Sequence, residues 1–147
     1  MKLFLDANVL IDFMSERLPH YLEAATIFTL AVEHKCMIAV SSLSMVTSNY
    51  ICCDRCNMPL SDWKKKVDIM KSFVEVCPVD SEDIFLSCDS DWSDYEDNVQ
   101  YEVAKRYSCD AIVTRNPRDF IKSDIPVLTP DEVIEIIDKY PYNGGIT

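Results

Sequence analysis

Apolar and polar positions alternate in blocks along this chain, and the blocks predict its elements. Leu3-Phe4-Leu5 is a short apolar run that stops abruptly at Asp6, as a buried parallel strand does. From Leu18 to Cys36, Leu22, Ala25, Ile27, Phe28, Ala31 and Val32 recur near helical spacing and predict a helix. Met37 to Val40 reads as a second strand, closed by Ser41 and Ser42. Leu43 to Cys56 reads as helical up to the break at Asn57-Met58-Pro59. Ser61 to Val74 predicts an amphipathic helix with Lys64, Lys65, Lys66 and Lys71 on its wet side. Val76 to Val79 predicts a third strand, followed by a helix capped by Asp80 or Ser81. The next helix is expected from Ser93 to about Tyr107, a fourth strand at Ala111 to Val113, and a short fifth at Pro126 to Leu128, at the sheet edge. Thr129-Pro130-Asp131-Glu132 is a helix start: a cap, a proline in the first turn and a Glu at the third position. Strands alternating with helices imply an α/β fold, a parallel sheet of about five strands covered on both faces.

The length of 147 residues suits one domain, expected over residues 1–140 with 141–147 as a short tail. No apolar stretch approaches the ~20 residues of a membrane span. The seven scattered cysteines and the lack of a secretory signal point to reduced thiols in a cytoplasmic protein. Cys53-Asp-Arg-Cys56 has zinc-like spacing but no second pair to match it. Cys36, Cys77, Cys88 and Cys109 read as core fillers. The only two glycines are Gly144 and Gly145, so no P-loop or dinucleotide fingerprint exists. With two histidines in the chain, hydrolytic chemistry would have to come from carboxylates.

The formal net charge is −11, which argues against a generally basic nucleic-acid coat. The charge is segregated. Residues 80–102 hold nine acids and no Lys or Arg, whereas residues 105–122 bring Lys105, Arg106, Arg115, Arg118 and Lys122. Such blocks suit solvated helix faces, and also a metal site that handles a polyanion.

The C-terminal ends of parallel strands are where α/β folds build sites. Asp6 follows the first strand, and Thr114 and Asn116 follow the fourth. Asp94 and Asp97 open the late helix, three apart on one face, with Val99, Val103 and Tyr107 turned toward a core. Asp119 follows Asn116 by about one turn and reaches toward the same crevice. Simpler roles exist for several of these groups. Ser93 and Glu96 have capping-box spacing, acids suit a first helical turn, Thr114 and Asn116 are good turn residues, and Asp12 is expected at the surface or as a local cap. A carboxylate at Asp6 that was buried and unpaired would be costly, which makes it the harder one to explain structurally.

Three segments together resemble the PIN domain family: Leu5-Asp6-Ala-Asn8-Val-Leu-Ile-Asp12, Asp94-Tyr-Glu96-Asp97-Asn-Val-Gln and Ile112-Val-Thr114-Arg-Asn116-Pro-Arg-Asp119-Phe. Their order and the Thr129-Pro130 helix start match as well. The resemblance covers residues 1 to about 137 and is strongest to small bacterial members similar to VapC-type toxins of toxin–antitoxin pairs. It implies a three-layer fold and an endoribonuclease dependent on Mg²⁺ or Mn²⁺. It makes Asp6 the first metal ligand, Asp97 the acid of the later helix, and Asn116 or Asp119 the group after the fourth strand. Asp94 and Glu96 are neighbouring candidates, Asp94 also as a metal ligand, and Asn8, Thr47 and Thr114 are supporting groups. Arg115, Arg118 and Lys105 would contact phosphates, and Tyr95 or Tyr101 would stack a base or pack in the core.

The chain departs from the family at two points. Thr47 stands where members usually carry a Glu, and Asn116 stands where an Asp is frequent. Fewer acids weaken cation binding. A second expectation therefore stands beside the nuclease: a PIN fold with weak or no catalysis that binds RNA or a protein partner. The resemblance also implies an antitoxin partner and a homodimer. A phosphatase or phosphoacceptor domain shares the Asp after the first strand but fits less well. Its second acid would fall at Asn8, and no Lys is well placed after the fourth strand.

Overall fold

A computed structural model of the protein describes residues 1–140; the expected tail, 141–147, lies outside the described residues. The chain runs β1 (Lys2–Leu5), α1 (Ala7–Met14), α2 (Tyr21–Val32), β2 (Met37–Ser41) and α3 (Ser42–Tyr50). A π-helical turn follows at Ile51–Arg55, then α4 (Leu60–Met70), β3 (Val74–Cys77), α5 (Ser81–Cys88) and α6 (Tyr95–Arg106). The last elements are β4 (Ala111–Val113), a 3₁₀ turn at Pro117–Phe120, β5 (Val127–Leu128) and α7 (Pro130–Lys139). All five strands are parallel, in the order β3-β2-β1-β4-β5. The first three strands build outward from β1 in one direction, and β4 then returns to its other side. The order reverses between β1 and β4, and a parallel sheet opens a crevice at such a reversal.

The strands sort their side chains by parity. Leu3 and Leu5 of β1, Ile38 and Val40 of β2, and Ala111 and Val113 of β4 join one core with α1, α2 and α7. Phe4, Ala39 and Ile112 face the opposite way, toward Tyr101, Val103 and Ala104 of α6. Both faces are therefore buried, which explains why β1 is apolar throughout rather than alternating.

Several boundaries differ from those expected. Helix α1 has no counterpart among the expected elements: it is only eight residues long and buries Val9, Leu10, Ile11, Asp12 and Met14. Helix α2 stops at Val32 because His34 takes a left-handed conformation, with φ 60°. The expected helix from Leu43 to Cys56 divides into α3 and the π-helical turn. Strand β3 lies two residues earlier than expected, in register with β2 from Ile38↔Val74 to Ser41↔Cys77, and Pro78 follows it without an N–H to extend the ladder. The edge position of β5 and the Thr129 cap of α7 are as expected, the Thr129 side chain accepting from the Glu132 N–H at 3.3 Å. Asp80 caps α5 in a reciprocal capping box with Asp83.

Three polar expectations need correction. Lys66 does not lie on a wet face: its Nζ donates to the Met14 carbonyl at 2.9 Å and covers the C-terminal end of α1. Cys88 is exposed rather than a core filler, whereas Cys36, Cys77 and Cys109 are buried. Asp12 is neither a surface group nor a cap. It is 1% exposed and takes Arg17 Nε on Oδ1 at 2.8 Å and Arg115 Nε on Oδ2 at 2.7 Å. A carboxylate one turn into an apolar helix is tolerable here because two guanidinium groups, themselves partly exposed, reach in to satisfy it.

Asp12→Ala leaves both arginines without their acceptor and should destabilise the protein by about 3 kcal/mol. Removing Glu135 from its exposed pair with Lys139 should cost about 0.5 kcal/mol or less. Urea denaturation of the two variants tests the contrast; equal losses would deny Asp12 its structural role.

Candidate active site

Asp6 ends β1 and at the same time caps α1, its Oδ1 accepting from the Ala7 N–H at 2.8 Å. Its own N–H donates to the Val113 carbonyl at 2.9 Å, which sets it beside Thr114 at the end of β4. The Thr114 hydroxyl donates to Asp6 Oδ2 at 2.8 Å and accepts from the Asn116 N–H at 3.1 Å and from Asn8 Nδ2 at 3.4 Å. With two donors occupying its acceptor side, the one hydroxyl proton is committed to the carboxylate. Asn8 Oδ1 in turn accepts from the Arg115 N–H at 3.4 Å. Asn8 and Thr114 thus cross-link the ends of the two strands at the switch point.

Asp97 enters the same crevice from α6, and its charge interacts with those of Asp6, Asp94, Asp119 and Glu96. Burial first, and then these four like charges, push its carboxyl up to about 7. Burial also raises Asp6; the Thr114 and Ala7 hydrogen bonds oppose the rise, while Glu96 and Asp119 add to it. The five acids therefore act on one another electrostatically although they come from three parts of the chain. Asp6 is nearly buried, Asp97 is half-buried, and Asp94, Glu96 and Asp119 are exposed.

The start of α6 differs in detail from the expected capping box. Asp94, not Ser93, is the cap, its Oδ1 accepting from the Asp97 N–H at 3.0 Å. One oxygen of Asp94 is thereby committed to the helix end. Asn116 precedes the 3₁₀ turn that carries Arg118 and Asp119. Arg118 is exposed beside Asp119; Lys105 Nζ lies over the Tyr101 ring, 5.8 Å from its centroid; and Arg115 is held by Asp12. Tyr101 is buried and stacks on Trp92, with ring centroids 4.9 Å apart, whereas Tyr95 is exposed.

Thr47 is half-buried on α3. One turn earlier on that helix lies a polar group that the sequence did not single out. Gln100, fully buried on α6, donates Nε2 to Ser44 Oγ at 2.8 Å, and Ser44 Oγ also accepts from Ser41 Oγ at 3.1 Å. A Gln inside a helical run with apolar neighbours was the available signal. The network ties α6, and so Asp97, to the end of β2.

Among the described residues, no three His, Cys, Asp or Glu side chains cluster closely enough to form a metal site by themselves. The available donors are all oxygens, and Asp6 and Asp97 sit at the focus of mutual repulsion. Mg²⁺ uses one or two carboxylates and fills its remaining positions with water and substrate oxygens, so this pair fits a hard divalent cation.

Thr114→Val removes the hydroxyl that favours the charged form of Asp6. The Asp6 carboxyl should titrate higher still, as followed by side-chain carboxyl NMR. An unchanged titration would show that the Thr114 bond does not control it.

Comparison with known proteins agrees with this fold. The chain is 28% identical over 141 residues to Ribonuclease VapC1 of Aquifex aeolicus (strain VF5), covering 91% of this chain and 94% of that protein. The crystal structure of VapBC2 from Rickettsia felis bound to a DNA fragment from their promoter superposes with a TM-score of 0.61 at 16% identity. It covers 88% of this chain and 98% of the other. Mycobacterium tuberculosis VapC20, a Sarcin-Ricin loop cleaving toxin, superposes with a TM-score of 0.58 at 11% identity, covering 75% and 86%. The family profile described as PIN domain matches residues 2–118. The ordered motifs, the reversal of strand order between β1 and β4, and this match identify the chain as a member of the PIN domain family.

Proposed function

We propose that this protein is an endoribonuclease, the toxin of a toxin–antitoxin pair, acting in the cytoplasm as a single domain. The observation that carries the reading is the convergence of acids at the switch point, where burial first and then the neighbouring acids push Asp97 up to about 7. Strongly perturbed carboxylates in a crevice mark functional sites because holding like charges together is unfavourable without something to neutralise them. Asp6 and Asp97 would hold Mg²⁺ or Mn²⁺, with Asp94, Glu96 and Asp119 around them. When bound, the ion would lower the pKa of a water and offset charge on the phosphodiester.

The chain's own groups prepare the site. Thr114 and the Ala7 N–H hold Asp6 in one orientation as an acceptor. Without a bound cation, Asp97 takes up or releases a proton near neutral pH. Arg118 lies exposed next to Asp119, where it would meet an incoming phosphate, with Lys105 farther along α6. Such contacts position an RNA strand without reading its sequence. The VapC1 likeness supports the ribonuclease, and the VapBC2 complex supports a protein partner, here an antitoxin segment that would lay an Arg among the acids. Among the described residues, no helix is long and apolar enough to cross a membrane.

A second reading is favoured by Thr47, where the family usually has an acid, and by the absence of a three-acid cluster among the described residues. On this reading the fold is kept for binding RNA or a protein, and catalysis is weak or lost. Divalent cation binding separates the two readings.

Asp97→Asn should reduce Mn²⁺-dependent RNA cleavage by at least about a hundredfold while leaving the circular dichroism spectrum unchanged. Cleavage by the variant at the wild-type rate would remove Asp97 from the mechanism. The raised Asp97 has a direct consequence for metal-free stability. Between about pH 4 and about pH 7 the folded protein keeps a proton there that the unfolded chain has released, so stability falls as pH rises through this window. In EDTA the wild-type melting temperature should therefore decline more from about pH 5 to about pH 8 than that of Asp97→Asn, and added Mn²⁺ should restore it in wild type. Parallel pH curves without metal, or no response to Mn²⁺, would favour the non-catalytic reading.

A further inference from the structure

Where the loop between α5 and α6 meets the 3₁₀ turn after β4, the surface holds a shallow cavity of about 70 Å³. Trp92, Ser93, Arg118, Asp119 and Ile121 line it. It borders the acidic crevice: the charge of Asp119 acts on both Asp6 and Asp97, and Ser93 directly precedes the Asp94 cap. Lys122 clamps the two segments together, its Nζ donating to the Asp91 carbonyl at 2.7 Å and pairing with Asp91 Oδ2 at 2.8 Å. The half-buried indole of Trp92 is held in place by packing. It stacks on Tyr101, with centroids 4.9 Å apart, and meets Phe120 edge-on at 6.0 Å.

Three groups around this cavity are not used by the fold. Arg118 is the one arginine of five with no ion-pair, hydrogen-bond or ring partner among the described residues. Arg17 and Arg115 hold Asp12, Arg106 holds Asp83, and Arg55 lies over Tyr50. Ile121, two residues past Asp119, is 84% exposed, more than any other large apolar side chain among the described residues. The backbone N–H of Trp92 donates to Ser90 Oγ at 3.4 Å, but no described residue accepts its indole N–H; in Trp63 that group donates to Ser48 Oγ at 3.3 Å. A single exposed isoleucine needs no explanation. Beside an indole and an unpaired guanidinium, on the rim of a carboxylate crevice, it completes a surface with one coherent chemistry.

We propose that Trp92 and Ile121 form a stacking platform for one unpaired base of the RNA next to the cleaved phosphodiester, with Arg118 on an adjoining phosphate; the inference rests on the ribonuclease reading above. A nucleotide has a π-face to lay against an indole and a branched aliphatic chain, and an anion to meet a guanidinium. Stacking of this kind accepts every base, because every base has such a face. The cavity is far below the about 300 Å³ at which enclosed small-molecule sites begin, so it supports one side of a ring and reads no base edge. What the platform selects is strandedness: a base within a duplex is already stacked and cannot reach it. A protein partner fits this wall less well. One indole and one isoleucine offer no continuous apolar groove, and Arg118, Asp119 and Lys122 around them are all charged.

The test measures binding and cleavage separately. A short labelled RNA strand, the same strand annealed into a duplex, and an abasic strand with the same number of phosphates are titrated by anisotropy with Ca²⁺ in place of Mn²⁺. Trp63→Phe leaves Trp92 as the only tryptophan, so its fluorescence reports contact with a base. The single strand should quench Trp92 and bind about tenfold tighter than the duplex or the abasic strand. Ile121→Ala, at an exposed position where folding is not at stake, should cut that margin to below about threefold and raise KM for single-stranded RNA more than it lowers kcat. Trp92→Leu should abolish the margin and Trp92→Phe should restore most of it. Equal binding of the three nucleic acids, with no quenching and with Mn²⁺-dependent cleavage indifferent to Ile121→Ala, would overturn the platform and leave the ribonuclease standing. A base-dependent margin that Ile121→Ala and Trp92→Leu remove, without cleavage by wild type in Mn²⁺, would support the platform and overturn the nuclease. An amphipathic, arginine-bearing peptide that quenches Trp92 and binds tighter than any of the strands would assign the wall to a protein partner and overturn the proposal.

Discussion

The bond from the Thr114 hydroxyl to Asp6 is the contact on which the rest of this site depends. It exists because β1 and β4 are neighbours in parallel register, so that the residue after each strand falls beside the other. Two strands separated by more than a hundred residues of sequence are brought together by the reversal of strand order, and the crevice follows from that topology. The Asn8, Asn116 and Arg115 backbone and side-chain bonds all close on the same pair of strand ends. The acids of α6 are then presented to a carboxylate whose orientation is already fixed. Preorganisation of this kind removes the need for the site to rearrange when charge arrives.

Electrostatics divides the acids into two populations. Asp12 and Asp83 are buried as deeply as any acid in the chain, yet each is met by arginine: Asp12 by Arg17 and Arg115, Asp83 by Arg106 at 2.7 Å. Asp91 on the surface pairs with Lys122. The acidic and basic blocks of the sequence therefore partly neutralise one another across the fold. Asp6 and Asp97 are treated differently. They face other acids, and the nearby Arg115 is diverted to Asp12. The net charge of the chain says little about this, because it is the distribution of partners that leaves one cluster uncompensated.

Much of this was legible in the sequence, and the exceptions have physical causes. Strands β1, β2, β4 and β5 showed themselves as apolar runs ended by polar residues, and the Thr129 cap as a local motif. Asp6, Asp97 and Thr114 were identifiable because a polar residue at a strand end or in a first helical turn has a predictable place in an α/β fold. Helix α1 was hidden because it is only eight residues long and follows β1 directly, too short a stretch for a helical period to stand out. The role of Asp12 was hidden because its partner Arg115 is 103 residues away, and pairing at that range is a property of topology. The same applies to Gln100 and Ser44, 56 residues apart. Local patterns report which elements form; side-chain satisfaction across the sheet reports what they are for.

Asp6 belongs to two systems at once. It terminates a strand and starts a helix, and its two oxygens are engaged in holding that junction. A lineage that lost the chemistry would still have reason to keep this residue, because discarding it would expose the end of α1 and release the Thr114 hydroxyl. Asp97 has no comparable tie: among the described residues its side-chain oxygens hold no part of the framework, and its presence raises the electrostatic strain of the fold. The two acids are therefore bound to the fold to different degrees. Asp6 is tied into the architecture, whereas Asp97 in its charged form costs stability and holds no part of the framework among the described residues.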